Sequence, residues 1–218
     1  MLADLGDCQT FRKGNFMKKW LYLIVDFSYG EEKIKAALDA SVDYIQLREK
    51  DISAREYLLR AKRLREITKY YHTKLIINDR LDIAALSGAD GVHLGQEDIP
   101  IGDARIFLGA EKIIGATAKT ADQAKEAVEA GADYLGSGAW FSTTTKKDAV
   151  PISEETYQKI LKEAPIPNVA VGGITRANCE KPLSLGASGL AISAGILKVQ
   201  DPWTETIKIR QILEQWEK

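Results

Sequence analysis

The sequence predicts a single-domain α/β fold, a (β/α)₈ TIM barrel, and three observations predict it. Short aliphatic runs alternate with helical patterns along the chain. A helix-end, turn and strand phrase recurs four times: Ala40-Ser-Val-Asp-Tyr-Ile-Gln-Leu, Ser87-Gly-Ala-Asp-Gly-Val-His-Leu, Ala130-Gly-Ala-Asp-Tyr-Leu-Gly-Ser and Leu185-Gly-Ala-Ser-Gly-Leu-Ala-Ile. No Pro/Gly/Ser-rich linker interrupts the alternation, which argues against two domains. A quarter-like period of strands and helices favours a closed parallel barrel over an open doubly wound sheet.

The odd-numbered strands are the apolar runs at 21–25, 75–77, 113–114 and 169–171. Continuous β-branched and aliphatic runs suit parallel strands buried on both faces. The fourth members of the repeated phrase, Asp43, Asp90, Asp133 and Ser188, are 47, 43 and 55 residues apart. That span is about two β/α units, so the phrase marks the even-numbered strands, giving eight strands and eight helical stretches. Helix starts are legible between them. Ser53 with Glu56, and Thr120 with Gln123, have capping-box spacing. Asp201 before Pro202 places a cap and a first-turn proline at the last helix, which carries an apolar stripe at Ile209, Ile212, Leu213 and Trp216.

Residues 1–16 are polar and irregular, with no apolar run suited to a signal peptide, and read as a flexible leader, either a tag remnant or a native extension. The barrel is expected over 17–218. No stretch approaches the roughly 18 apolar residues of a membrane span. A net charge of −1 over 218 residues gives no whole-protein attraction to nucleic acid or to an anionic membrane, so an anionic substrate needs a local cluster of cations. Cys8 and Cys179 lie far apart without metal or redox spacing, which suits a reduced, cytoplasmic protein. Oligomeric state stays open, a homo-oligomer included.

In such a barrel the residues just after each strand face the active site. The second strand ends in Gln46, Leu47, Arg48, Glu49 and Lys50; the third in Asn78, Asp79 and Arg80; the fourth runs from His93 to Asp98. Thr117 and Lys119 follow the fifth, Thr143, Thr144, Thr145 and Lys146 the sixth, Gly172 and Gly173 the seventh, and Ser193 and Ala194 the eighth. Asp79 and Asp98, on neighbouring strands, are hard oxygen ligands suited to Mg²⁺ completed by phosphate oxygens. Helix capping is the alternative use of both. Arg48 and Lys50 offer charge-assisted donors to a diphosphate, unless they pair with Glu49 at the surface. The glycines after strand seven and the small residues after strand eight suit a phosphate, with a simple tight turn as the alternative. The hydroxyl-rich segment around Lys146 suits a leaving group or second phosphate, or is a solvated loop. Gln46 and Asn78 are neutral groups suited to an uncharged heterocycle. His93 stands alone, either a satisfied core residue or a substrate contact. Two phosphate sites, with no Ser-His-Asp or Cys-His set, argue for electrophilic substitution driven by loss of diphosphate.

These residues resemble the thiamine-phosphate synthase (thiamine phosphate pyrophosphorylase) family. The matching phrases are QLREK at 46–50, IND at 77–79, DGVHLGQED at 90–98, TTTKKDA at 143–149 and VGGIT at 171–175. The resemblance implies a transferase that joins 4-amino-2-methyl-5-(diphosphooxymethyl)pyrimidine to hydroxyethylthiazole phosphate. It implies that Gln46, Arg48, Lys50, Asn78 and Lys146 contact the pyrimidine diphosphate. It further implies that Asp79 and Asp98 bind Mg²⁺, and that Thr143, Thr145, Gly173, Ser193 and Ala194 hold the thiazole phosphate. Leu47, Glu49, Thr117 and Thr144 complete the expected substrate contacts, and Arg48, Lys50, Lys146 and Thr117 the expected catalytic set. The chain departs from the family in having Thr117 for serine, Lys119 for histidine, and Gly138-Ala-Trp-Phe-Ser142 for a Pro-Ile-Tyr-Pro type of loop. Lys119 speaks against a thiazole tautomerase, whose acid–base histidine would stand there. A sugar-phosphate isomerase would leave Arg48, Lys50 and Lys146 unexplained, and a non-catalytic relative would have no need of Asp79, Asp98 and Lys146 together.

Overall fold

The computed structural model describes residues 18–142 and 151–217. Eight parallel strands close a barrel: β1 Trp20–Val25, β2 Tyr44–Leu47, β3 Lys74–Asn78, β4 Gly91–Leu94, β5 Ile113–Thr117, β6 Tyr134–Ser137, β7 Asn168–Val171 and β8 Gly189–Ile192. Each pairs with the next in sequence, and β8 returns to β1 with Leu21 opposite Leu190. Helices α1 Glu31–Asp39, α2 Ala54–Thr68, α3 Leu81–Ser87, α4 Ile101–Leu108, α5 Ala121–Glu129, α6 Glu154–Glu163 and α7 Glu180–Ser184 connect them. Where one last helical stretch is expected, two occur: a short α8 Ala194–Leu197 directly after β8, then α9 Pro202–Gln215. The described residues thus hold nine α-helices rather than eight.

The two-residue period of the strands divides the core into two layers. Leu21, Leu23, Ile45, Leu47, Leu75, Ile77 and Val92 point outward and are fully buried against the helices. The alternate positions fill the barrel with Tyr22, Tyr44, Ile76, Tyr134, Val169 and Ala191. Each fully buried aliphatic side chain contributes about 1.5–3 kcal/mol of transfer free energy. The caps read from sequence form as expected. Ser53 Oγ accepts from Glu56 N at 3.1 Å, Thr120 Oγ1 from Gln123 N at 3.2 Å, and Asp201 Oδ1 from Thr204 N at 3.1 Å. On α9, Ile209 and Leu213 are buried, with Ile212 and Trp216 packed against the core.

The repeated phrase has a mechanical basis. Asp43 Oδ2 accepts the backbone N–H of Leu21 at 2.8 Å, Asp90 Oδ2 that of Leu75 at 2.7 Å, and Asp133 Oδ2 that of Ile114 at 2.7 Å. Ser188 Oγ accepts from Asn168 N at 3.1 Å. Each even-numbered unit thereby pins the start of the odd-numbered strand before it. Arg210, Arg65 and Arg105 balance the three carboxylates at 2.5, 2.8 and 2.6 Å. These groups lie at the strand N-terminal ends, so the period belongs to the barrel floor and leaves the opposite mouth free for chemistry.

Candidate active site

At the strand C-terminal ends, Asp79 closes β3 in a left-handed conformation, φ 61°. Its N–H donates to His93 O at 2.9 Å and the Arg80 N–H donates to Asn78 O at 2.7 Å, a tight reversal of the chain between β3 and α3. Beneath this turn the Tyr57 hydroxyl bonds both Leu47 O and Asn78 O, at 2.8 and 3.0 Å, tying the ends of β2 and β3 together. Asp98 is aimed from the β4 loop by the Gly95 N–H, which donates to its Oδ2 at 2.6 Å. Neither aspartate caps a helix: the α3 and α4 N-caps are Arg80 and Pro100, without side-chain cap bonds.

The two carboxyl groups are close enough for the charge of Asp98 to act on Asp79. Burial in the mouth, followed by the charge of Asp98, pushes Asp79 up to about 6, while Arg48 and Lys50 pull it back. Two neighbouring carboxylates with cations beside them are a donor set that could take a divalent cation and an anion together, although the described residues hold no cluster of three potential metal ligands. Arg48 and Lys50 make no ion pair among the described residues. The surface pairing with Glu49 does not occur, because Glu49 bonds Arg60 Nη1 at 2.9 Å and the Phe27 N–H at 3.0 Å.

Gln46 and Asn78 are buried on the inward face of β2 and β3. Two residues of the expected substrate-contacting stretch turn their side chains elsewhere. The Leu47 side chain is fully buried in the outer layer, because alternation turns it away from Gln46. The Glu49 side chain is engaged by the Arg60 guanidinium and the Phe27 N–H. His93 is a satisfied residue, its Nδ1 3.0 Å from the Tyr134 hydroxyl and its Nε2 3.0 Å from Thr117 Oγ1. Burial holds it down to about 4 against the opposing pull of Asp98, so it is neutral at pH 7. Lys119 is exposed at the rim.

Across the mouth, Gly172 and Gly173 have φ of 99° and 66°. A Cβ on Gly173 would lie 2.6 Å from Ser142 O, so only glycine allows this approach to the β6 segment. Asn178, which sequence reasoning missed, holds the turn by donating to Gly173 O at 3.0 Å and accepting from Thr175 N at 2.8 Å. Its spacing of five from Gly173 was the available signal. Ser193 caps α8 and lies 3.4 Å from the Tyr29 hydroxyl. Thr143, Thr144, Thr145 and Lys146 lie outside the described residues.

The family profile described as thiamine monophosphate synthase matches residues 21–196. The chain belongs to this family. It is 43% identical to the thiamine-phosphate synthase of Clostridioides difficile (strain 630), over 90% of this chain and 92% of that one. It is 41% identical to that of Ruminiclostridium cellulolyticum, over 88% and 94%. A solved structure, thiamine phosphate pyrophosphorylase from Pyrococcus furiosus, superposes with a TM-score of 0.84 at 36% identity, covering 92% of this chain and 98% of that one. The unusual 138–142 segment is accommodated within the family fold. Trp140 N and Phe141 N donate to Val171 O and Gly172 O at 3.1 and 3.0 Å, and the Trp140 ring packs edge-on against Tyr157, 4.7 Å between centroids. Its bulk is therefore taken up by the outer core. Among the described residues no helix is long and apolar enough to cross a membrane.

Proposed function

We propose that the chain condenses 4-amino-2-methyl-5-(diphosphooxymethyl)pyrimidine with hydroxyethylthiazole phosphate, giving thiamine phosphate and pyrophosphate. The observation that carries this reading is the electrostatically coupled pair Asp79 and Asp98 beside Arg48 and Lys50, neither cation committed to an ion pair among the described residues. Asp79 and Asp98 would hold Mg²⁺, and their closeness and the upward push on Asp79 fit a site waiting for positive charge. When bound, the ion supplies charge neutralisation to the departing diphosphate.

The rest falls to the chain's own side chains. Arg48 offers a planar fork and Lys50 a mobile point charge to the diphosphate oxygens as negative charge grows on them. Gln46, Asn78 and Thr117 orient the pyrimidine ring, so that its methylene carbon faces the incoming thiazole nitrogen. The carbon–oxygen bond to the diphosphate breaks, and the nitrogen lone pair closes on the methylene carbon. No group on the enzyme needs to abstract a proton to activate that nitrogen. His93, neutral and bonded through both ring nitrogens, suits a positioning role. Gly173, Ser193 and Ala194 anchor the thiazole phosphate on the far side. Thr143, Thr144, Thr145 and Lys146 join these two anchors on the strength of their matching phrase. Cys179, buried and without a disulfide among the described residues, is in keeping with a reducing, cytoplasmic setting.

Asp98→Ala tests the cation site. Magnesium-dependent formation of thiamine phosphate should fall at least about 100-fold, in line with loss of a major electrostatic group, while the melting temperature stays near that of the parent. An unchanged rate would show that Asp98 holds no catalytic cation.

A further inference from the structure

Five side chains from five strands form one hydrogen-bonded chain across the barrel interior. Gln46 Nε2 donates to the Tyr22 hydroxyl at 3.0 Å, which lies 2.8 Å from the Tyr134 hydroxyl. Tyr134 meets His93 Nδ1 at 3.0 Å, and His93 Nε2 meets Thr117 Oγ1 at 3.0 Å. The space for this chain is built in. A Cβ on Gly115 would sit 2.1 Å from the Tyr134 ring, and one on Gly136 would sit 3.0 Å from His93 Cε1. Tyr134 is the middle of the chain and buried; Gln46 and Thr117, at its two ends, are ring contacts in the function proposed above.

Each hydroxyl has one hydrogen and a neutral imidazole has one N–H, so fixing one end orders all the others. Gln46 turns its amide N–H to Tyr22, so Tyr22 is free to donate to Tyr134, and Tyr134 to His93 Nδ1. His93 then carries its hydrogen on Nε2 and donates it to Thr117, whose own hydrogen is left for a partner above it. In this order Gln46 presents its carbonyl oxygen to the mouth as an acceptor, and Thr117 presents a donor. Reversing either end requires turning the Gln46 amide, both tyrosine hydroxyls, the His93 tautomer and Thr117 together.

We propose that Tyr134 is a positioning residue that couples the hydrogen-bonding character of Gln46 and Thr117, so that the site selects an amino-substituted azine over its oxo counterpart. An amino group donates to Gln46 and a ring nitrogen accepts from Thr117. The oxo form carries a carbonyl and an N–H instead and is mismatched at both ends. This rests on the proposed function, which places Gln46 and Thr117 against the pyrimidine.

The test measures binding, because the amino group also affects intrinsic reactivity. Dissociation constants are taken by calorimetry with Mg²⁺ and without thiazole phosphate, for the 4-amino and 4-oxo forms of the pyrimidine diphosphate. The parent should prefer the amino form, and Tyr134→Phe should cut that preference by about tenfold, the scale of one unpaired buried polar group. Tyr22→Phe breaks the same chain and should do likewise, which covers the case in which Tyr134→Phe does not fold. Tyr44→Phe removes a neighbouring hydroxyl outside the chain, stacked 5.6 Å from Tyr22, and should leave the ratio unchanged. A preference intact in both chain variants, or lost equally in Tyr44→Phe, overturns the proposal. Nitrogen NMR supplies a second reading, since only His72 and His93 contribute imidazole signals. His93 should be protonated on Nε2 in the parent, and an Nδ1–H tautomer would overturn the ordering. Failure of the parent to bind the amino form at all would instead refute the proposed function.

Discussion

Asp79 carries two costs at one position. Its left-handed backbone costs an ordinary residue about 1–2 kcal/mol, less for aspartate or asparagine, whose side chains tolerate that region. Partial burial, and after it the charge of Asp98, raises the proton affinity of Asp79 from an ordinary 3.8 to about 6. Between those values the folded chain binds more protons than the unfolded chain, so stability falls as pH rises through the window, and the full penalty is present at pH 7. Asp79→Asn keeps the backbone tolerance and removes the charge. Without divalent cation at pH 7, the variant should melt higher by about 2–4 °C, allowing for solvent screening at the exposed edge of Asp79. The gain should vanish near pH 4, and Mg²⁺ should stabilise the parent but not the variant. A melting temperature equal to or below that of the parent at pH 7 would mean that the pair is not under charge strain. The pairing of Asp79 with Asp98 and the freedom of Arg48 were legible from strand-end position alone. The engagement of Glu49 was not legible, because its partner Arg60 lies nearly two helix turns into α2, where sequence spacing does not reveal the contact.

At the scale of elements, the fourfold phrase exposed the even strands because each copy performs the same task, capping the start of the preceding odd strand through a side-chain oxygen. A periodic structural task leaves a periodic sequence. Asp133→Ala should leave the Ile114 N–H and the Arg105 guanidinium short of a partner, costing about 1.5–3 kcal/mol of stability. Because Asp133 lies at the floor, turnover at a temperature where the variant is folded should be unchanged. Thermal unfolding and initial rates check both, and a large loss of turnover without loss of stability would contradict the division between floor and mouth. The hydroxyl chain left no such trace. Tyr22 and Tyr134 are 112 residues apart, and each reads as an ordinary core aromatic until barrel closure brings the hydroxyls together. The extra helix α8 was also hidden, since four residues are too few to show a period.

For the whole molecule, a net charge of −1 and the proposed site for two phosphorylated ligands are reconciled by segregation. The floor arginines are neutralised by the repeated aspartates, while Arg48 and Lys50 remain at the mouth beside Asp79 and Asp98. The closed barrel makes this separation possible, since strand direction alone decides which end a loop residue occupies. The direct measurement is to mix the pyrimidine diphosphate and the thiazole phosphate with the protein and Mg²⁺ and follow pyrophosphate and thiamine phosphate together. Equimolar appearance of both products, dependent on each substrate and abolished by chelation, is expected. No pyrophosphate release with both substrates present would contradict the assignment of this mouth to diphosphate displacement.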